Sequence, residues 1–276
     1  MKHIIKITTQ DMKGLIFKIS SLLYEANLNI EKNDEYVDKD KNLFFMRTEV
    51  TGELQQKELF DKLANILPKN SQIEIIPQQK KSVIIFCTKE NHCLGDLLLR
   101  YESGELDVDI KAVISNHNTL KDLVTKFGIH YVHISAENLT REQHEDLILK
   151  ECDRYAFDYI LLAKYMRILS PSFTQKFRHK IINIHHSFLP AFVGANPYKQ
   201  AYNRGVKIIG ATAHFVNDEL DEGPIITQDV IAINHTYTWQ EMQKHGRNIE
   251  KTVFAKAIDL VLSDKVFLND NKTIVF

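Results

Sequence analysis

Apolar residues recur along this chain with two periods, and where each period holds decides the elements. From Ile4 to Thr8 the pattern fits a strand. From Gly14 to Ala26, Leu15, Ile19, Leu22 and Leu23 are spaced three and four apart, which stacks them on one face of a helix. Asn29 to Val37 and Leu43 to Val50 alternate as two strands around the charged turn Asp38 to Lys41. A second helix spans Leu54 to Leu67 and stops at Pro68, and Ile73 to Ile76 reads as a strand. This βαββαβ order predicts a ferredoxin-like α+β domain over residues 1–77. A four-stranded sheet of that kind leaves an edge strand with unpaired backbone groups, so a homo-oligomer with contacts between first domains is expected.

Gln78 to Lys81 is short and polar between two apolar runs and reads as a linker. From 82 to 276 the two periods alternate. Strands fit Ser82 to Phe86, Asp109 to Ser115, Tyr131 to Ile134, Tyr159 to Ala163, Ile181 to Ile184, Val206 to Asn217 and Ile225 to Ile233. Helices fit Leu94 to Tyr101, Leu120 to Phe127, Glu142 to Tyr155, Pro171 to Phe177, Pro197 to Asn203 and Trp239 to Leu262. The alternation predicts an α/β domain with a Rossmann-like, mostly parallel sheet that binds ligands at the carboxyl ends of its strands. Trp239, Met242, Ile249, Val253, Ala257 and Leu260 read as a packing stripe without chemistry.

Composition narrows the function classes. The 276 residues suffice for two ordinary domains, and an apolar fraction of 44% is ample for their cores. A net charge of −1 leaves no electrostatic footprint for nucleic acid or a membrane surface. No apolar run approaches membrane-spanning length, and the opening MKHIIKITTQD lacks the apolar core of a signal peptide. Cys87, Cys93 and Cys152 form no CxxC pair, so the expectation is a cytoplasmic protein with reduced thiols.

Candidate chemistry concentrates between Asn183 and Asp229. Asn183 and His185 lie two apart within the apolar run Ile181 to Ile184, so a strand projects both to one face at its end. Asp221 sits in a polar tip between apolar runs, where a carboxylate can reach an imidazole and set its tautomer and charge. Breaking an N-formyl bond needs a stabilised oxyanion, an activated nucleophile and a proton for the leaving nitrogen. The Asn183 amide can supply the first, worth roughly 3 kcal/mol in a pre-organised site. His185, held as imidazolium by Asp221, can supply the proton, and Asp221 can orient and deprotonate a water. Read singly, Asn183 is a strand-end turn residue and His185 a satisfied buried histidine; the combined motif favours the catalytic roles. His185, His186 and His214 raise a metal reading. No H-x-x-x-H pair or Cys accompanies them, and His186 would face away from His185 on an extended strand, so no metal is expected. Ser187 lacks the G-x-S-x-G turn of a serine hydrolase.

The same residues belong to a longer run: Asn183, His185, Ser187, Leu189-Pro190, Gly194, Gln200-Ala201, Gly205-Val206 and Asp221-Glu222-Gly223, preceded by LLAKYMRILSP from Leu161 to Pro171. The run resembles the folate-dependent formyltransferase family. The wording HHSFLPAF (His185 to Phe192), GANPY (Gly194 to Tyr198), GATAHFV (Gly210 to Val216), GEL (Gly104 to Leu106) and ISNH (Ile114 to His117) is similar to its deformylase subgroup, whose formyl acceptor is water. The loop Cys87 to Cys93 points the same way. It holds no glycine and carries Glu90, a poor neighbour for the phosphate that a ribonucleotide acceptor would bring.

The resemblance implies hydrolysis of 10-formyltetrahydrofolate to tetrahydrofolate and formate, which feeds one-carbon and purine metabolism. It implies that Asn183, His185 and Asp221 are catalytic and that Met166, Arg167, Ile168, Leu169, Asn217 and Gly223 hold the folate. It further implies a cis Leu189–Pro190 bond, and no cofactor besides the folate, which is the substrate. Two other readings stay open: formyl transfer to an amine such as glycinamide ribonucleotide, and a non-catalytic folate or amino-acid sensor. Gln10 to Gly14 resembles the loop of ACT domains, implying a small amino-acid effector near Asp11 and Gly14. Asp11 as a helix N-cap and Gly14 for backbone freedom explain the same residues structurally.

Overall fold

Leu15, Ile19, Leu22 and Leu23, spaced for one helix face, are all buried on α1 (Leu15–Glu25). In the computed structural model, which describes residues 1–192 and 196–276, α1 belongs to the first of two units, Met1–Gln79 and Lys80–Val275. With β1 (Lys2–Gln10), β2 (Asn29–Asp38), β3 (Leu43–Thr51), α2 (Gln56–Ile66) and β4 (Gln72–Pro77) it completes the βαββαβ order. The sheet runs β2-β3-β1-β4, antiparallel throughout. Ile5 and Ile7 from β1 and Phe44, Met46 and Val50 from β3 meet Leu59 and Leu63 of α2 and the α1 face in one core. Gly14, at φ 88, is the N-cap of α1, with no side-chain cap. Asp11 does not cap the helix: its backbone N–H donates to the Asn42 carbonyl at 2.8 Å, and its carbonyl accepts from Asn42 Nδ2 at 3.3 Å.

The second unit contains β5 (Lys81–Cys87), α3 (His92–Glu102), β6 (Val108–Ser115), α4 (Lys121–Thr125), β7 (Tyr131–His133), α5 (Arg141–Cys152), β8 (Tyr159–Ala163), α6 (Pro171–Lys176) and β9 (Ile181–His185). They are followed by α7 (Pro197–Arg204), β10 (Ile208–Phe215), β11 (Ile225–Ala232) and α8 (Trp239–Leu262). The seven-stranded sheet has the order β11-β10-β9-β8-β5-β6-β7. Its central strand β5 is buried on both faces, as a parallel strand between helical layers must be. Val83 and Ile85 pack with Leu94 of α3 and Val253 and Ala257 of α8. Ile84 and Phe86 pack with Ile148 of α5 and Phe173 of α6.

The sheet is mostly parallel, as expected, but strand–helix alternation also predicts a parallel β10, and there the structure differs. β10 runs antiparallel to β9, and β11 antiparallel to β10. Because β10 starts beside the end of β9, the connecting α7 stays at the carboxyl end of β9 and makes no crossover. Pro197 opens α7 and Gly205, at φ 65, closes it. A C-terminal hairpin, β12 (Val266–Asn269) and β13 (Lys272–Val275), was not expected from the pattern. Its turn places Asp270 at φ 53, a conformation Asp tolerates. Asn271 Nδ2 donates to the Glu222 carbonyl at 2.9 Å and Thr273 Oγ1 to the Ile225 carbonyl at 2.6 Å, bracing the β10–β11 loop. Among the described residues no helix is long and apolar enough to cross a membrane.

That loop is closed by Phe215, whose N–H donates to the Pro224 carbonyl at 2.9 Å. A Cβ on Gly223 would lie 1.7 Å from the Phe215 carbonyl oxygen, and backbone cannot yield as a side chain can. Gly223→Ala is therefore expected to lower stability by about 1–3 kcal/mol, as overpacking does. Urea unfolding of the variant should show an earlier midpoint; an unchanged midpoint would mean the loop repacks freely.

Candidate active site

β9 ends in Asn183 and His185, and both line a cavity of about 600 Å³ at the carboxyl ends of the strands together with Asp221. His185 is buried, and its Nδ1 lies 3.2 Å from Asp221 Oδ1. Its Nε2 is buried too and has no hydrogen-bond partner among the described residues. Asp221 is held at φ 60, a left-handed conformation uncommon outside glycine. Burial opposes its charge, but the hydrogen bond and charge of His185, joined by His214, outweigh burial and hold the carboxyl below its usual range.

His214 was set aside in the sequence with the metal reading, yet the sheet makes it a neighbour of the site. It pairs directly with Asn183 across the antiparallel β9–β10 ladder. His214 Nδ1 lies 2.9 Å from the Phe215 carbonyl, which can only accept, so Nδ1 carries the proton. Nε2 is then an acceptor for Asn183 Nδ2 at 3.2 Å. This orients the Asn183 amide and leaves its second N–H for a substrate oxygen. Burial pushes the His214 pKa down, which keeps the ring neutral. His186 also departs from expectation. It lies just past the end of β9, where alternation no longer holds, and its ring stacks on that of His185 at 5.1 Å between centroids.

The turn after β9 is fixed by side chains. Thr212 Oγ1 donates to the Ser187 carbonyl at 2.8 Å and accepts from the Leu189 N–H at 3.0 Å, while Ser187 Oγ donates to the Ala191 carbonyl at 2.7 Å. The Leu189–Pro190 bond is cis. Gly194, part of the motif run, lies outside the described residues.

Met166, Arg167, Ile168 and Leu169 form one wall of the cavity, and Asn217 another. The wall is pinned at both ends: Thr88 Oγ1 accepts from the Met166 N–H at 3.0 Å, and Glu145 Oε1 accepts from the Ser170 N–H at 2.8 Å. Met166, Ile168 and Leu220 remain substantially exposed, an apolar lip suited to a flat aromatic ring. Gly223 is not among the lining residues. Its tight approach to Phe215 shapes the Asp221 loop.

The cavity has a second end that the sequence did not disclose. Glu250 of α8, almost fully buried, takes the Tyr198 hydroxyl on Oε1 at 2.6 Å; on Oε2 it meets His92 Nε2 at 2.7 Å and Lys164 Nζ at 3.2 Å. Burial works against this carboxylate, but the hydrogen bond from His92, the Lys164 charge and the Tyr198 hydroxyl pull it down to about 2. Tyr198 reaches it by crossing α8 at Gly246, where a Cβ would fall 2.1 Å from the hydroxyl oxygen. The apolar stripe of α8 had been read as packing only, and a Glu within a helix gives no hint of contacts to three side chains distant in sequence. His92, Cys93 and Glu250 also form the one metal-ligand grouping among the described residues. The Lys164 ammonium already sits on the carboxylate oxygen that a cation would need.

Comparison with known proteins agrees with this architecture. The formyl transferase family matches residues 81–258 and the ACT domain family residues 3–68. A formyltetrahydrofolate deformylase of Haemophilus influenzae is 51% identical over 274 residues, 99% of each chain. One from Escherichia coli is 50% identical, covering 99% of this chain and 98% of its own. The crystal structure of a formyltetrahydrofolate deformylase from Pseudomonas syringae pv. tomato superposes with a TM-score of 0.94 at 40% identity, over 100% of this chain and 94% of the other.

Two neutral imidazoles, buried His214 and half-buried His186, make the site sensitive to acid. Burial first, and the Lys164 charge after it, depress His186 to about 3, and His214 is shifted the same way. Both groups bind protons more readily unfolded, where the pKa is about 6.5. Their stabilisation is therefore complete above about pH 6.5 and is lost progressively as pH falls toward the folded values. The urea midpoint should fall between pH 7.5 and pH 5, and His186→Asn should reduce that fall. Equal pH slopes for the two proteins would remove His186 from the account.

Proposed function

The chain belongs to the formyl transferase family, with an ACT domain ahead of the catalytic one, and on that footing we propose that it hydrolyses 10-formyltetrahydrofolate to tetrahydrofolate and formate. The observation that carries this reading is Nε2 of His185, buried in the cavity without a partner while Nδ1 is held by Asp221. Such a nitrogen is placed to give a proton to a leaving amine. The pterin lies against the Met166, Arg167, Ile168 and Leu169 wall, with Asn217 opposite, and the formyl group points at Asn183.

The free oxygen of Asp221 takes a proton from water as its oxygen bonds to the formyl carbon. The carbonyl oxygen becomes an oxyanion held by the Asn183 amide. The C–N bond then breaks as the His185 imidazolium delivers a proton to the departing nitrogen, and formate leaves. The scheme uses no cofactor and no covalent enzyme intermediate. A ribonucleotide acceptor fits less well: the Cys87 to Cys93 loop has no glycine for a phosphate cradle, and Glu90 lines the cavity. The intact Asn183, His185 and Asp221 argue against a sensor without activity. The ACT domain supports a small amino-acid effector at the Asp11 to Gly14 loop, acting by its differential affinity for two states. The exposed edge strand β2 favours a homo-oligomer, and three buried unpaired cysteines fit the reducing cytoplasm.

Asp221→Asn should fold yet release formate at least about a hundredfold more slowly, since an amide neither accepts the water proton nor holds an imidazolium. Formate release from 10-formyltetrahydrofolate without any amine is the direct assay. Near-wild-type turnover by the folded variant would refute the role, and strict dependence of the unaltered protein on an amine would refute the hydrolytic reading.

A further inference from the structure

Lys164 combines features that packing does not explain. It directly follows β8 and adopts φ 59, a backbone conformation that favours glycine. Its side chain is 4% exposed, and its ammonium lies 3.2 Å from the 1% exposed Glu250 carboxylate. Both residues line the cavity that holds Asn183 and His185. The parallel register pairs Leu162, two residues before Lys164, with Asn183 one strand over. A strained residue that buries a charge beside a reacting centre is an observation that asks for a functional reason.

An amine that accepts a formyl group must be held close to the formyl carbon, and a buried carboxylate is the group that would hold it. Glu250 is such a carboxylate, and its oxygens are taken by Tyr198, His92 and Lys164. We propose that the Lys164 side chain occupies the amine-acceptor position of this cleft, its ammonium standing where an incoming primary amine would sit on Glu250, so that water is the nucleophile. The inference rests on the hydrolytic reading above and names what enforces it. Lys164 does not itself become the acceptor: its Nζ is tethered on Glu250 Oε2 at 3.2 Å, whereas a diffusing amine enters as the free base and can donate N–H to the carboxylate while its lone pair faces the formyl carbon. Gly246 and Tyr198 are positioning residues in this arrangement, since Tyr198 reaches Glu250 only over a residue without a Cβ.

The test is a partition experiment on the full chain. Protein and 10-formyltetrahydrofolate are incubated near pH 8 with rising glycinamide, whose α-amino group is then partly the free base. Formate and N-formylglycinamide are both quantified by mass spectrometry. In the productive transfer the amine nitrogen bonds to the formyl carbon, the C–N10 bond breaks, and the amine's proton passes to N10. The unaltered protein should give formate at every amine concentration. Lys164→Ala should give N-formylglycinamide that saturates with amine, with the amine-to-water ratio raised at least about tenfold, and adding Glu250→Gln should abolish that gain. A purely structural role for Lys164 would slow both products without changing their ratio. A folded Lys164→Ala that forms no formylated amine, or an unaltered protein that already forms as much, overturns the proposal. Lys164→Met, which keeps the stem, replaces Lys164→Ala if that variant does not fold. If neither folds, Lys164 is a structural support and the proposal falls. Absence of formate from the unaltered protein would instead defeat the hydrolytic reading, so the two failures are distinct.

Discussion

An imidazole with a carboxylate 3.2 Å from Nδ1 keeps that nitrogen protonated, so the Asp221–His185 pair decides which nitrogen faces the cavity. Much of the second unit serves to hold that pair. Asp221 lies on a loop between two antiparallel strands, with its backbone in the left-handed region at φ 60. The loop is fastened from several sides. Gln175 Nε2 of α6 donates to Asp218 at 2.9 Å, the terminal hairpin reaches the Glu222 carbonyl, and Gly223 lets the chain pass against Phe215. His185 is equally constrained, with the turn behind it fixed through Thr212. Without those fastenings the carboxylate would gain solvent, and the imidazole would lose the partner that sets its tautomer.

Much of this could be read from the sequence because it depends on local pattern. Leu15, Ile19, Leu22 and Leu23 announced their helix face, and the apolar β5 run announced a buried strand. Asn183 and His185 were readable for the same reason, being two apart on one strand, and Asp221 because polar tips between apolar runs are few. What escaped depends on register and on side chains distant in sequence. His214 meets Asn183 only because β10 runs antiparallel to β9, and the strand–helix alternation pointed to the opposite direction. Glu250 hides in a helix whose apolar stripe is sufficient reason for its existence, and nothing within α8 says that His92, Lys164 and Tyr198 converge on it. Gly223 was placed on the ligand by the family resemblance, whereas its distinguishing property is a backbone approach that only coordinates reveal.

Lys164 and Asp221, both lining the cavity, adopt left-handed backbone conformations, which strains the lysine. Strain of this sort persists only where the surroundings over-determine it. The charges add to the argument, because taking an ammonium and a carboxylate out of water is costly and a well-packed apolar pair is often as stable or more so. Stability alone therefore does not account for Lys164 on Glu250 beside β5 and β8, whose buried residues are mainly Ile, Val and Leu. The same cleft needs polar groups at one end to move a proton, and at the other it needs them to be fully satisfied, so that no incoming amine finds a free carboxylate. His185 leaves one nitrogen without a partner, and Glu250 leaves neither oxygen so. That asymmetry separates the reacting end of the cavity from the closed one, and it makes a small nucleophile such as water the natural acceptor.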